Sequence, residues 1–389
     1  MKSYSISRTP QLHHGEGTYK LIGSMITGNN SILVVTGGRS FEALDAYRFL
    51  MGECTRLKIK VSEYRIPREP SPSMIDRAVD EFGDVGVQLV VGLGGGSVID
   101  AAKAIAAMIP IHEPVKDFLE GVGTKTHPGI RLPFIALPTT SGTGSEATRN
   151  AVLSEVGSNG FKRSLRHMNF VPDTAILDPT LTLTCPAAVT AYSGMDAFTQ
   201  LLESFVSTSA NPVTDALAVQ GLKLVSQSLS DAVQDGTNLQ SRSDMALAAY
   251  LSGITLANAG LGTVHGLAGV IGGLKDIPHG VICSRLMGPA NVITVRKLRE
   301  SSPSNVALSK YAATGRYFVN SSSHNDDYYI DALLDAINGL TSSLNIPSLL
   351  QYGVTENDIR EFARLGENKN NPVRLNEDER LELLYQAWR

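Results

Sequence analysis

Up to about residue 182 the chain alternates short apolar, β-branched runs with stretches of helical period. Ser31–Thr36 (SILVVT), Leu57–Ile66 (LKIKVSEYRI), Val87–Val91 (VQLVV) and Leu132–Leu137 (LPFIAL) read as strands. A stretch opening at Ser40 (SFEALDAYRFLMG), then SMIDRAVDEFGD and SVIDAAKAIAAMI, read as the helices between them. Near-continuous apolar strands punctuated by helices predict a mostly parallel sheet with both faces covered.

From residue 183 the grammar changes. Apolar residues recur three and four apart through Pro186–Ser207, Pro212–Gln234, Ser241–Asn258, Asn305–Tyr317, Tyr328–Leu344 and Glu377–Trp388, the pattern of a helical bundle. The expected organisation is an α/β domain over 1–182 and an all-α domain over 183–389, with the boundary near DPTLTLTCP (Asp178–Pro186). Ser321–Asp327 (SSSHNDD) reads as a surface loop within the second part.

Composition narrows the class. A chain of 389 residues is too long for one ordinary core, and 42% hydrophobic with 19% charged residues excludes a disordered chain. A net charge of −4 argues against nucleic acid or an anionic membrane as partner. Three cysteines (Cys54, Cys185, Cys283) without CxxC spacing encode neither a disulfide framework nor a structural zinc knot. The N-terminal segment has no signal-peptide core, and no apolar run reaches the ~18 residues of a membrane span, so a cytoplasmic soluble protein is expected.

Two loops carry candidate chemistry. Residues 92–103 read GLGGGSVIDAAK: a buried strand delivers Gly94, Gly95 and Gly96 at its carboxyl end, and Ser97 opens a helix with Asp100 at N3, a capping pattern. Glycines let a phosphate approach backbone N–H groups at a helix N-terminus. The strict GxGxxG spacing is absent, and a tight turn without ligand remains the alternative. Pro138–Thr148 (PTTSGTGSEAT) is a second hydroxyl- and glycine-rich loop at a strand end, where open α/β sheets bind ligands.

With these segments on the page the chain resembles the iron-containing (group III) alcohol dehydrogenases. The resemblance runs through GGGSVIDAAKAIA (94–106), LPTTSGTGSEAT (137–148), LDPTLT (177–182), GMDAFTQLLESF (194–205) and VHGLAGVIGGLKDIPHG (264–280), in the family's order. It implies an N-terminal dinucleotide-binding domain, a C-terminal helical domain of dehydroquinate synthase-like architecture, and NAD(P) and a metal between them. Homodimers are common in the family and one is expected here. Gly95, Gly96 and Ser97 would hold the pyrophosphate, Thr139, Thr140 and Thr143 would line the nucleotide, and Lys162 looks like the family's basic residue near the cofactor.

The resemblance also implies a metal set of one Asp and three His, two of them from Asp-x-x-x-His on one helix. This chain reads Asp196-Ala-Phe-Thr-Gln200, so Asp196, His265 and His279 match while Gln200 replaces a histidine. A neutral amide oxygen is a poorer ligand than imidazole. Gly269 stands where the family often has a second histidine after His265. His13, His14, His112, His127, His167 and His324 match no family site and are expected at the surface.

The function implied is hydride transfer between nicotinamide and a small alcohol or aldehyde, assisted by divalent iron or zinc at Asp196, Gln200, His265 and His279, with Asp196, His265 and His279 catalytic. Phe198, Leu261 and Leu267 would shape the substrate pocket. NADP(H) is favoured over NAD(H): the first strand ends Thr36-Gly37-Gly38-Arg39-Ser40 without a carboxylate, and Gly38, Arg39 and Ser40 suit a 2′-phosphate. Two alternatives are a dehydroquinate synthase-like lyase on a sugar phosphate, for which no dense basic set stands beside Asp196 or His265 in the sequence, and a non-catalytic nucleotide-binding relative.

Overall fold

The computed structural model describes residues 3–38, 40–319 and 323–389. Six strands form one sheet, β1 (Gln11–His14), β2 (Ser31–Thr36), β3 (Lys60–Arg65), β4 (Leu89–Gly94), β5 (Phe134–Pro138) and β8 (Thr174–Leu177), in the order β1-β8-β5-β4-β2-β3. Every pairing in it is parallel. β6 (Asn150–Glu155) and β7 (Phe161–Arg166) make a separate antiparallel hairpin.

Helices α1 (Ile22–Met25), α2 (Asp45–Leu57), α3 (Pro72–Phe82) and α4 (Gly96–Met108) accompany the sheet. The chain runs β2-α2-β3 to one side, then returns through α3 to place β4 on the other side of β2. Ligands in open α/β sheets sit at such a switch point, outside the strands' carboxyl ends. Because α4 is apolar on every side apart from Asp100 and Lys103, it is buried from Val98 to Met108, between the sheet and the β6–β7 hairpin.

Among the described residues nine helices follow: α5 (Ala187–Val206), α6 (Pro212–Gln234), α7 (Leu239–Ala259), α8 (Thr263–Leu274), α9 (His279–Ser301), α10 (Val306–Gly315), α11 (Asp326–Ser343), α12 (Glu356–Leu365) and α13 (Glu377–Trp388). They enclose one apolar core built around Phe198, Leu201, Leu267, Val281, Leu286 and Leu333. The α/β part followed by an all-helical part is the class the hydrophobic pattern predicts. Among the described residues no single helix is long and apolar enough to cross a membrane.

Several local readings change. The segment at Ser40 is a 3-10 turn, Ser40–Ala43, and α2 begins only at Asp45. Strands β1, β6, β7 and β8 and helices α8, α9 and α12 join the elements the pattern predicts. His127 is not at the surface: it is buried against Phe118 and Phe170, with Nε2 3.2 Å from the Ala107 carbonyl.

Candidate active site

The carboxyl ends of β2, β3, β4 and β5 open on a cleft of about 750 Å³ whose walls include Gly38, Gly94, Gly95, Gly96, Ser97, Thr139, Thr140 and Thr143. The capping pattern expected at Ser97 and Asp100 does not form. Gly95 is the N-cap of α4, and no side chain caps it. The first N–H groups of the helix are therefore free of an intrachain cap and face an open cleft, the arrangement that receives anions.

Gly96 is required by packing as well as by ligand approach, because a Cβ there would run into the Thr143 side chain. Asp100 lines a smaller cavity that adjoins Gly96 and Ser97. Buried on α4, it accepts from the Val152 N–H (3.2 Å) and ties the helix to β6. Arg39 lies outside the described residues, as does the side chain of Ser40.

The smaller cavity, of about 220 Å³, continues from this cleft, sharing Glu69, Gly96, Ser97, Thr143 and His279 with it. At its inner end four side chains converge from three helices: Asp196 (α5), His265 (α8), and His279 and Cys283 (α9). One potential ligand atom from each lies within 4.8 Å of all the others. His265 Nε2 is 3.3 Å from Asp196 Oδ1, and Cys283 Sγ is 3.6 Å from Nε2 of both histidines.

The support beneath this cluster is specific. Glu203, two turns beyond Asp196 on the same face of α5, accepts from His265 Nδ1–H and from the Val264 N–H, both at 2.7 Å. His265 is thereby held at both ring nitrogens. Gln200 holds Asp196 instead of joining the cluster: its amide nitrogen donates to Asp196 Oδ2 (3.1 Å) and its oxygen accepts from Ser252 Oγ (2.8 Å). The opposite amide orientation would set oxygen against carboxylate, so the Gln200 oxygen expected among the ligands points away.

Charges follow the geometry. Burial would raise Asp196, but the imidazoles of His279 and His265 outweigh it and hold the carboxyl at about 2. Burial would lower His265, yet the Cys283 sulfur and the Asp196 and Glu203 carboxylates raise it well above its ordinary value. His279 is pushed down to about 4, by burial first and then by the cation of Lys162. Burial pushes the Cys283 thiol up to about 12.

Lys162, on β7, lines the smaller cavity and is locked to both oxygens of Glu69 at 2.7 Å. Arg166 and Lys369 line the same cavity. Three cations thus stand near His265, where neighbours in sequence show none; they come from β7 and from the segment after α12. Two are already engaged with acids, Lys162 with Glu69 and Arg166 with Glu120 (3.4 Å). Lys369 donates to the His265 carbonyl (3.0 Å).

Leu261 lines the cavity with Leu256, whereas Phe198 and Leu267 are core residues, Phe198 stacking on Phe318. A Cβ on Gly269 would meet nothing within 4 Å, so the cavity remains open where a second histidine side chain would project.

Cys283, Glu203 and Glu69 are site residues that motif reading passed over. Cys283 stands at i+4 from His279 and Glu203 at i+7 from Asp196, so helical spacing is the signal that marks Glu203 on the predicted helix, and it would mark Cys283 only once α9 is seen to be a helix. Glu69 follows a strand in a Pro-rich turn and carried no signal.

These features define a nucleotide-binding enzyme with a buried set of metal-ligating side chains at the end of its cleft. The family described as iron-containing alcohol dehydrogenase matches residues 9–179, and that described as Fe-containing alcohol dehydrogenase, C-terminal, matches residues 190–388. A 1,3-propanediol dehydrogenase of Citrobacter freundii is 34% identical over 329 residues, 82% of this chain and 81% of its own. An alcohol dehydrogenase from Oenococcus oeni superimposes with a TM-score of 0.88 at 27% identity, covering 99% of this chain and 100% of that one. A sulfoacetaldehyde reductase from Bifidobacterium kashiwanohense, solved with NAD+, gives a TM-score of 0.85 at 25% identity over 100% of this chain and 99% of that one. The chain belongs to the iron-containing alcohol dehydrogenase family.

Proposed function

We propose that the protein is a metal-assisted, NAD(P)-dependent alcohol dehydrogenase interconverting a small alcohol and its aldehyde. The observation that carries this is the junction at His279, where the wall of the nucleotide-sized cleft meets the Asp196–His265–His279 cluster. The cleft falls within the range of about 300–1,000 Å³ typical of ligand sites. An anionic oxygen, two imidazole nitrogens and a sulfur suit a divalent transition metal.

When bound, the nicotinamide carries the hydride and the metal polarises the substrate oxygen as a Lewis acid. The chain's own residues supply placement. The α4 N-terminus and Gly94–Ser97 hold the pyrophosphate, and Thr139, Thr140 and Thr143 line the ribose and nicotinamide end. Glu203 aims His265, Gln200 aims Asp196, and Leu256 and Leu261 exclude water from the reacting carbon. Lys162, fixed by Glu69, keeps positive potential beside the oxygen of the substrate.

Several finer assignments belong to the same reading: NADP(H) over NAD(H), the domain division at 182/183, and a homodimer. The cofactor preference is supported by the absence of a carboxylate in Thr36–Ser40 and by Arg68 on the cleft wall. Nicotinamide absorbance followed with a panel of short aldehydes tests the function. Turnover that requires the metal-loaded protein is expected. Nucleotide binding without turnover of any aldehyde would overturn the assignment in favour of a non-catalytic relative.

A further inference from the structure

The family's ligand pair at i and i+4 on α5 is broken here by Gln200, whose amide is occupied with Asp196 and Ser252. An equivalent pair exists one helix away. His279 and Cys283 stand at i and i+4 on α9, and both aim their ligand atoms into the cluster.

The spacing fits a coordination shell. Tetrahedral zinc, with Zn–N or Zn–O near 2.0–2.1 Å and Zn–S near 2.3 Å, places sulfur about 3.6 Å from each nitrogen and nitrogen about 3.3 Å from oxygen. Cys283 Sγ is 3.6 Å from His265 Nε2 and 3.6 Å from His279 Nε2, and His265 Nε2 is 3.3 Å from Asp196 Oδ1. The His279–Asp196 separation, 3.9 Å, is longer, and all four ligand atoms lie within 4.8 Å of one another. A cysteine that merely filled space would be surrounded by apolar groups; this one faces two imidazoles and a carboxylate.

We propose that Cys283 is a thiolate ligand of the active-site metal, filling the coordination position that Gln200 leaves, and that it biases the site toward zinc over iron(II). The inference rests on reading the cluster as a metal site. On binding, the Cys283 S–H bond and the His265 Nε2–H bond break, both protons pass to buffer, and the sulfur and nitrogen lone pairs are donated to the metal; nothing is oxidised or reduced. Soft thiolate favours zinc relative to iron(II), and a zinc held there would supply Lewis acidity to a substrate oxygen.

The test is cobalt(II) titration of chelator-treated full-length protein, with elemental analysis and absorption spectra. One equivalent of cobalt is expected, with a near-ultraviolet thiolate-to-cobalt charge-transfer band that persists in Cys185→Ser and is lost in Cys283→Ser. The zinc-to-iron(II) affinity ratio is expected to fall in Cys283→Ser. Stoichiometric cobalt without the band in the wild type, or an unchanged band or affinity ratio in folded Cys283→Ser, overturns the proposal and leaves the metal reading standing. No cobalt or zinc bound overturns both. Where Cys283→Ser fails to fold, the spectrum of a Cys54→Ser, Cys185→Ser double variant, whose one remaining thiol is Cys283, decides the ligand question: a band supports the proposal and its absence overturns it.

Discussion

Glu203 offers the sharpest perturbation because its two hydrogen bonds are both short and both buried. The carboxylate is 5% exposed and accepts from His265 Nδ1–H and the Val264 N–H at 2.7 Å each. Glu203→Ala leaves two buried donors unpaired at about 1–3 kcal/mol each, or about 2–6 kcal/mol in all. That is a large part of a typical stability of about 5–15 kcal/mol, so the alanine variant is expected to unfold readily.

Glu203→Gln keeps the shape and one acceptor while turning its amide donors against the second N–H. Its stability loss is expected to be about 1–3 kcal/mol. Orienting partners of this kind are worth about 10–100-fold in activity or metal affinity. The assay is aldehyde-dependent NADPH oxidation beside nucleotide titration and urea unfolding. Expected are kcat/KM lowered by about 10–100-fold and nucleotide affinity unchanged, because Glu203 lies across the cluster from the cleft. Full kcat/KM together with unaltered metal content would refute the view that Glu203 positions His265.

Further outcomes follow from other contacts. Arg39→Ala is expected to lower the ratio of kcat/KM for NADPH to that for NADH; an unchanged ratio removes Arg39 from cofactor selection. Gly96→Ala forces Thr143 aside, an overpacking of about 1–3 kcal/mol, and should weaken nucleotide binding by NADPH fluorescence titration, with Gly339→Ala, where an added Cβ meets nothing within 4 Å, as the unaffected control. Lys103 is fully buried, and its ammonium donates to the Ser145 and Asn150 carbonyls at 2.7 Å and to Thr148 Oγ1 at 2.9 Å. Lys103→Met removes all three of these hydrogen bonds, although Thr148 Oγ1 still donates to both carbonyls, and is expected to destabilise by about 1–3 kcal/mol in urea unfolding; an unchanged midpoint would contradict this. Burial raises the Glu146 carboxyl from 4.5 to about 7. The folded protein then holds an extra proton between those values, so the contribution of Glu146 to stability is full below pH 4.5 and falls by about 3 kcal/mol as pH rises through 7. Glu146→Gln should flatten that decline, and an identical pH profile would disprove it.

What was legible in the sequence depended on periodicity. β2 lies at the bounds its run SILVVT predicts, and Pro212–Gln234 is α6 from end to end. β7 (FKRSLR) escaped because a short, polar hairpin strand lacks the apolar run that marks β2. β1 and β8 are four residues each, too short to show alternation. α8 carries four glycines in twelve residues, and α9 contains Pro289, so both hide their helical period behind residues that ordinarily end helices. α12 (ENDIREFARL) is short and amphipathic, with Ile359, Phe362 and Ala363 buried.

The candidate site divides in the same way. Asp196, His265 and His279 were visible through their motifs, and the fold brings them together. Gln200 was visible as a substitution, but its partner Ser252 lies 52 residues away, and no local pattern foretold where its amide would point. Lys369 reaches the His265 carbonyl across 104 residues. Contacts closed over such distances are products of packing, not of local grammar.

The convergence of α5, α8 and α9 on one point also has a mechanical meaning. Asp196 and His265 are 69 residues apart and His265 and Cys283 a further 18. An ion held there is a cross-link that pins three segments of the helical half at once, and its binding free energy adds to stability only while those segments remain docked. The sheet half, with its own core around Leu33, Val90 and Ile105, does not depend on that pin. Amide exchange should therefore separate the two. Removing metal should speed exchange in α8 and the first turns of α9 while β2, β4 and α4 keep their protection. A protein that lost its ion would then still grip its nucleotide, over a loosened floor.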